Sequence, residues 1–279
     1  MPDVATVTSP NAEEPRRALG TVTRAGRALD LFTPARPVWG ASALARELGV
    51  AKSQAHELLV SLDKIGLLRR ESGGRYRLGW RTLALGRDML RSQFPDDALR
   101  LLRVLAMRFN EPVMLMAMDR DRPTIVLRHG SSADTDPLLP ETMGRYSHCC
   151  AMVKCLVAER GEAERRALLR PEPERFTATT VVKVDEIFRE LDAVQRNRIA
   201  FDRGEIHPDL RAVAAPISDG DGVTIAAVGL WTTAARWEGA STELTSAVIG
   251  TGRRIETALR TAGRATEGSP IRTQGYSAK

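Results

Sequence analysis

The spacing of apolar and polar residues predicts a compact helical unit in the first third of the chain. Apolar residues recur every three or four positions in three segments, which predicts helices over 22–32, 43–48 and 52–65. Ser42 is a candidate N-cap for the second helix, and Gly49 is a candidate C-cap. The third helix carries one continuous apolar stripe, made of Ala55, Leu58, Leu59, Leu62 and Ile65. We expect this stripe to pack against the other helices.

Two short runs of β-forming and charged residues follow the third helix. Residues 67–71 and 75–78 are joined by Ser-Gly-Gly, and a glycine turn between two such runs predicts a β-hairpin. Residues 80–92 again have a helical pattern, and Pro95 closes this segment. We expect this helix to link the first unit to the rest of the chain.

Helices and strands alternate in the second half of the chain. The pattern predicts helices over 98–110, 148–159, 162–169, 185–197 and 241–261. It also predicts two pairs of strands, 112–118 with 124–128 and 212–217 with 223–230. This mixture is typical of an α+β domain.

Positive charge is concentrated in the first unit. The chain has 279 residues and a net charge of +6. Residues 16–91 alone hold fifteen Lys and Arg against six Asp and Glu, whereas residues 96–279 hold 26 of each kind. A basic segment joined to a neutral one is typical of a module that binds a polyanion. A basic surface that serves only solubility is the alternative.

The composition narrows the class of protein further. The chain is 43% hydrophobic and 27% charged, which is an ordinary globular composition. It has no run of about 18 apolar residues, as a membrane-spanning helix requires. Its first residues lack the basic and apolar regions of a signal peptide. We therefore expect a cytoplasmic protein with no membrane partner.

The second and third helices have the mechanics of a helix-turn-helix motif, with the hairpin as a wing. Gln can bind adenine bidentately, Glu can accept from the cytosine amino group, and Lys and Arg suit phosphate. The candidates on the third helix are Lys52, Ser53, Gln54, His56 and Glu57. The other DNA-binding candidates are Arg24, Ser42, Arg69, Arg70, Arg75 and Arg77. Arg75 and Arg77 have an alternative role as charges that guard an exposed hairpin edge.

Five segments carry a specific resemblance to known proteins. The segment ALARELGVAKSQAHELL at 43–59 is followed by the wing, and further motifs are GRYSHCCAMVK at 144–154, RFTATTV at 175–181, IAFDRGE at 199–205 and RAVAAPI at 211–217. In this order, from about residue 22 to residue 261, the sequence resembles the IclR family of bacterial transcriptional regulators, and 43–59 is similar to the family's helix-turn-helix. Two residues depart from the family pattern, because Glu57 stands where Arg is usual and Asp209 where glycine is usual.

The resemblance implies an α+β fold in two domains. These are a winged helix-turn-helix domain (21–79) and, after a linker helix (80–95), a GAF/profilin-like effector domain (96–263) with an antiparallel sheet, between loose tails (1–20 and 264–279). Such proteins form homodimers, often dimers of dimers, bind double-stranded operator DNA and respond to a small-molecule effector. We predict a repressor with no cofactor and no enzymatic activity. The alternative is a small-molecule-binding or enzymatic domain whose basic segment does not bind DNA specifically.

The resemblance also carries over a set of effector-binding positions. They are Arg145, His148, Ala151, Met152, Asp202, Leu210, Ala212, Gly229 and Trp231. Several family members bind a carboxylate through a cysteine near position 212 and serines near 229 and 231, and these donors are absent here. Because Trp231 adds an aromatic face, we expect an aromatic acid with Arg145 or His148 as its counter-charge. Core packing is the alternative role of Trp231 and Met152.

The three cysteines lie close together along the chain. Cys149 and Cys150 fall at the start of a predicted helix, whose dipole would lower a thiol pKa, and Cys155 follows within it. Residues adjacent in sequence do not face each other on a helix, so a Cys–His nucleophile is not expected. The spacing also lacks the pattern of a zinc site. We expect small apolar packing and no metal, with redox sensing as a lesser alternative.

Overall fold

The computed structural model describes residues 20–119, 122–130, 146–169 and 172–267. The chain divides into two compact units, with the division between Met89 and Leu90. The first unit contains α1 (Gly20–Asp30), β1 (Trp39–Gly40), α2 (Ala41–Leu48), α3 (Lys52–Lys64), β2 (Leu68–Arg70) and β3 (Arg75–Leu78). The next helix, α4 (Trp80–Gln93), runs through the division.

Three helices and a small antiparallel sheet enclose the core of the first unit. The strand order is β1-β3-β2, and the predicted hairpin is confirmed as β2 and β3. Gly73 and Gly74 in its turn have φ values of +72° and +69°, a region that glycine adopts without the penalty of a side chain. The core between the helices is apolar and includes Ala28, Phe32, Leu44, Leu48, Leu59 and Leu62.

Two details of the predicted helix-turn-helix are wrong. Ser42 lies inside the first turn of α2, because the helix starts at Ala41, two residues earlier than predicted, and Gly40 holds the N-cap position. Ile65 does not belong to the buried stripe of α3, since it follows the helix and remains half exposed. Gly49 is confirmed as a C-cap, with a φ of +67° and its amide bonded to the carbonyl oxygen of Ala45.

The second unit is an α+β domain around one antiparallel sheet, as expected. Its elements are α5 (Asp96–Phe109), β4 (Val113–Asp119), β5 (Arg122–His129), α6 (Ala151–Ala158), α7 (Glu162–Leu168), α8 (Val184–Asn197), β6 (Ala200–Asp202), β7 (Leu210–Ser218), β8 (Thr224–Thr233) and α9 (Ala234–Glu267). The strand order is β5-β4-β8-β7-β6. The described helices include none that is both long and apolar enough to cross a membrane.

Each strand divides its side chains between two cores, because successive residues point to opposite faces of a sheet. On β4, Met114 and Met116 belong to a core with α6 and α8. The intervening Val113 and Leu115 belong to a second core with α5 and α9. The candidate effector residues of the described chain lie on the first of these faces, which we call the α6 face.

Two predicted helix starts in this unit are wrong. The helix expected from His148 begins at Ala151, because the preceding residues form a turn in which the amides of Cys149 and Cys150 bond to the carbonyl oxygen of Tyr146. The last helix begins at Ala234 rather than at Ser241. Here β8 passes directly into α9, and the hydroxyl of Thr233 accepts from the amide of Arg236 as an N-cap would.

Candidate functional site

The polar face of α3 is exposed to solvent because the opposite, apolar face packs into the core of the first unit. Ala55, Leu59 and Leu62 are buried and hold the helix against α2. The five DNA-binding candidates on this helix are all exposed: Lys52, Ser53, Gln54, His56 and Glu57. A helix held by one face, with short polar side chains along the other, has the form needed to enter a major groove.

The wing carries exposed guanidinium groups, and the carboxylate of Glu71 lies among them. Arg69, Arg70 and Arg75 are exposed, whereas Arg77 is half-buried. The Nε of Arg77 lies 2.5 Å from Oε1 of Glu71, and a guanidinium nitrogen of Arg69 lies 3.9 Å from the same oxygen. Glu71 therefore neutralises part of the positive charge that the sequence assigned to the wing.

The remaining DNA-binding candidates lie on the first two helices. Arg24 is exposed on α1, where its guanidinium is 3.5 Å from the hydroxyl of Thr21. Arg24, Gln54 and Glu57 line one shallow depression beside α1 and α3. Glu57, the departure from the family pattern, therefore lies near a basic residue. Ser42 is exposed in the first turn of α2.

The effector candidates within the described chain converge on the α6 face. In the sheet register Asp202 on β6 is opposite Ala212 on β7, and Ala212 is opposite Trp231 on β8. These three residues therefore form one row, in which the small Ala212 separates an acid from an indole. Leu210 and Ala151 contribute to the same core.

Gly229 lets α6 pack closely on β8. A Cβ atom at this position would lie 2.5 Å from Cγ and 2.7 Å from Sδ of Met152. Because real Cβ contacts are longer, any larger residue would push Met152 or the helix away. Close packing therefore accounts for the contact between these two effector candidates.

Of the two predicted counter-charges, His148 and Arg145, only His148 lies within the described residues. His148 is buried, and its Nε2 lies 2.9 Å from the carbonyl oxygen of Glu174. Its ring also stacks on Phe176, with 5.9 Å between centroids. The imidazole is thus fixed against the 174–176 segment. Arg145 lies outside the described residues.

The sequence interpretation missed a buried ionic cluster that adjoins Asp202 at one end of this row. Lys154 on α6 is only 1% exposed, and its Nζ donates to Glu190 Oε1 at 2.9 Å and to Glu205 Oε1 at 2.6 Å. The third proton is donated to the carbonyl oxygen of Phe201 at 3.1 Å. Glu205 donates its own amide to Asp202 Oδ1 at 2.6 Å. The one signal for this cluster was a lysine inside an otherwise apolar helix.

Burial shifts the pKa values of the acids in this cluster upward. The pKa of Asp202 is raised to about 6 and that of Glu205 to about 7, because burial disfavours the charged carboxylates. The ammonium group of Lys154 opposes both shifts. The site therefore holds acids that exchange protons close to neutral pH.

The cysteine thiols behave differently from the expectation for a helix start. Burial raises the pKa of Cys150 to about 12 and also raises those of Cys149 and Cys155. Desolvation outweighs the amides at the start of α6, so the predicted lowering of a thiol pKa is wrong. Within the described residues, no group of three or more His, Cys, Asp or Glu side chains could hold a metal ion.

Comparison with known proteins places both units in one family. The family model "Bacterial transcriptional regulator IclR C-terminal" matches residues 92–257, and "IclR helix-turn-helix domain" matches residues 21–72. The glycerol operon regulatory protein of Streptomyces coelicolor is 30% identical over 216 residues, which cover 77% of this chain and 85% of the relative. The family and its relatives are transcriptional regulators and not enzymes, which excludes the enzymatic alternative.

Solved structures share the fold. The IclR transcriptional regulator of Alicyclobacillus acidocaldarius matches with a TM-score of 0.72 and 20% identity, covering 87% of this chain and 99% of that one. An IclR homologue from Microbacterium hydrocarbonoxydans, complexed with 4-hydroxybenzoate, matches with a TM-score of 0.73 and 24% identity, covering 87% and 100%. With its IclR helix-turn-helix domain and its IclR carboxy-terminal domain, the chain belongs to the IclR family of bacterial transcriptional regulators.

Proposed function

We propose that α3 reads the major groove of an operator and that the wing binds the adjacent phosphates. The observation that carries this proposal is the exposed polar face of α3, whose opposite face is fixed in the core. Gln54, Ser53, His56 and Glu57 would contact base edges. The phosphate contacts would come from Lys52, Arg24, Ser42, Arg69, Arg70, Arg75 and Arg77.

We further propose that an aromatic acid-like effector binds on the α6 face of the second unit. Trp231 supplies an aromatic surface in a row with an acid, and the Microbacterium homologue of similar fold is complexed with 4-hydroxybenzoate. Ala151, Met152, Leu210, Ala212 and Gly229 would form the apolar wall around it. His148 and Arg145 remain the proposed counter-charges for its acidic end.

The regulator would act as a repressor in the cytoplasm, where its operator DNA lies. We propose a domain division of 21–79, 80–95 and 96–263, with the linker helix transmitting the state of the effector domain. Two copies would read two half-sites about one helical turn or a multiple apart, as a homodimer or a dimer of dimers. An effector that binds more tightly when the two copies are arranged so that they cannot bind DNA would then release the operator.

Fluorescence anisotropy with the promoter fragment upstream of the protein's own gene tests this proposal. We expect binding that weakens steeply as salt rises, because basic side chains displace counterions from phosphate. 4-Hydroxybenzoate should lower the fraction of DNA bound at a fixed protein concentration. Absent or salt-insensitive binding would refute the DNA-binding mode, whereas binding unaffected by aromatic acids would refute only the effector class.

A further inference from the structure

Four polar side-chain atoms of the second unit are buried without a hydrogen-bond partner among the described residues. They are Ser147 Oγ, Asp202 Oδ2, Glu205 Oε2 and Trp231 Nε1. All four residues are at least 95% buried. A buried polar atom without a partner destabilises the folded state, and such atoms are rare in native proteins. A group of them in one region indicates a place where a polar ligand completes the bonding.

The four atoms belong to one neighbourhood on the α6 face. Asp202 and Trp231 stand in the same row of the sheet, on either side of Ala212. Glu205 is tied to Asp202 by its amide. Ser147 lies two residues before Cys149, whose thiol pKa is raised in part by the charges of both acids. The four residues therefore lie in one buried region of the α6 face.

Two of the four residues with an unpaired atom are acids, and none of the four is a cation. Two of the four atoms are carboxylate oxygens, one is an indole N–H donor, and one is a hydroxyl that can donate or accept. Lys154 offers nothing further, because its three protons go to Glu190, Glu205 and the carbonyl of Phe201. An anionic ligand group placed here would meet Asp202 and Glu205 with no free cation among these residues to balance it.

We propose that this site binds the effector through hydroxyl groups, which donate to Asp202 Oδ2 and Glu205 Oε2 and accept from Trp231 Nε1. The inference rests on the effector site proposed above and specifies its ligand class. A carboxylate is not the group held here. For an aromatic hydroxy acid, the phenolic hydroxyl lies beside Asp202 and Trp231, and the carboxylate lies away from the two acids.

The raised pKa values of the two acids set the pH range in which this selectivity holds. Above neutral pH both carboxylates are ionised and can only accept hydrogen bonds. Each unpaired oxygen can then accept from a ligand hydroxyl; the single phenolic proton of 4-hydroxybenzoate serves Asp202 Oδ2, whereas a ligand with several hydroxyls can serve both oxygens. A site with buried acceptors rejects an analogue that lacks the matching hydroxyl more strongly than an apolar pocket rejects a missing methylene.

Isothermal titration calorimetry of the full chain at pH 8 tests the proposal. The probes are 4-hydroxybenzoate, benzoate, 4-hydroxybenzyl alcohol and glycerol. We expect benzoate to bind at least about tenfold more weakly than 4-hydroxybenzoate, because it lacks the hydroxyl that the buried acceptors require. 4-Hydroxybenzyl alcohol, which has no carboxylate, should bind comparably to 4-hydroxybenzoate.

Asp202→Asn is the matched change at the site. The amide oxygen can keep the bond from the Glu205 amide, while Oδ2 is replaced by a donor. We expect affinity for 4-hydroxybenzoate to fall about tenfold and affinity for benzoate to stay equal or rise. Asp185→Asn, an exposed acid on α8, is the control and should change neither affinity. Circular dichroism melting verifies that each variant is folded.

The outcomes separate this inference from the proposed function. Equal binding of benzoate and 4-hydroxybenzoate, an unchanged preference in the Asp202→Asn variant, or no binding of any hydroxylated probe would each overturn the inference. Benzoate that binds tightly and releases DNA would leave the effector proposal standing while this inference fails. Glycerol as the sole binder would support the inference and refute the aromatic effector.

Discussion

Replacing Lys154 by Met is the sharpest test of the buried cluster. Methionine keeps much of the aliphatic volume but removes an ammonium group that makes three hydrogen bonds. Glu205, whose side chain is 4% exposed, would then lose its cation and must either keep an unpaired buried charge or take up a proton at pH 8, and both cost free energy of folding. Removing one member of a buried ion pair costs about 3–5 kcal/mol. Glu190 adds little to this cost, because its side chain is 22% exposed and can be hydrated.

Urea unfolding at pH 8, followed by tryptophan fluorescence, measures this loss. With a slope of about 2 kcal/mol per M, the midpoint of the second unit should fall by roughly 2 M. Lys183→Met provides the matched control, because this lysine is exposed and its 3.1 Å ion pair with Glu186 contributes at most about 1 kcal/mol. A Lys154→Met midpoint close to that of the control would refute the stabilising role of the cluster.

The double variant Lys154→Met with Glu205→Gln tests whether the two side chains depend on each other for their effect on stability. A neutral amide beside the new methionine no longer carries a buried charge, so the double variant should be more stable than Lys154→Met alone. Additive losses would show that the two side chains do not depend on each other.

Three further predictions concern single side chains. Gly229→Ala should destabilise the second unit by about 1–3 kcal/mol in thermal unfolding, because its Cβ would overlap Met152. In wild type, thermal stability should lose a contribution as pH rises from about 4 to about 6, because folding raises the pKa of Asp202 from 3.8 to about 6 and the folded state holds the proton more tightly; Asp202→Asn should remove that contribution. Glu71→Gln should strengthen DNA binding a few-fold and steepen its salt dependence by about one phosphate contact, because Arg77 is released from its ion pair.

Each of these changes has a matched control and a contradicting result. Gly220→Ala meets no atom within 4 Å and should be near neutral; equal losses at both glycines would contradict the packing argument. For Asp202→Asn, a pH profile parallel to wild type would contradict the raised pKa. Glu47→Gln removes an exposed acid of α2 that has no part in the wing, so a gain in affinity as large as that of Glu71→Gln would point to net charge alone.

Sequence patterns predicted the elements whose signals are local. The stripe of α3 placed Gln54 on the solvent side, and the glycine turn located the wing. Sequence patterns failed where tertiary contacts decide at which residue a helix or strand begins or ends. Three residues suffice for β6 because β7 pairs with it, and the early start of α9 follows from the direct continuation of β8.

The sequence named a set of effector candidates, but it could not give their arrangement or their chemistry. Asp202, Ala212 and Trp231 were singled out by family resemblance, but only the register of three strands aligns them in a row. Lys154 and Glu205 are 51 positions apart, so no local pattern could pair them. The pKa shifts were also beyond prediction, because they depend on burial from several elements at once.

Base reading by α3 is the central claim, and one comparison tests it most directly. Anisotropy titrations of Gln54→Ala and Arg75→Ala on operator and on random duplex of equal length separate base contacts from phosphate contacts. We predict that Gln54→Ala loses about 1–3 kcal/mol on the operator and almost nothing on random DNA, whereas Arg75→Ala weakens both about equally. Equal losses of Gln54→Ala on both duplexes would contradict the claim that this helix reads the sequence.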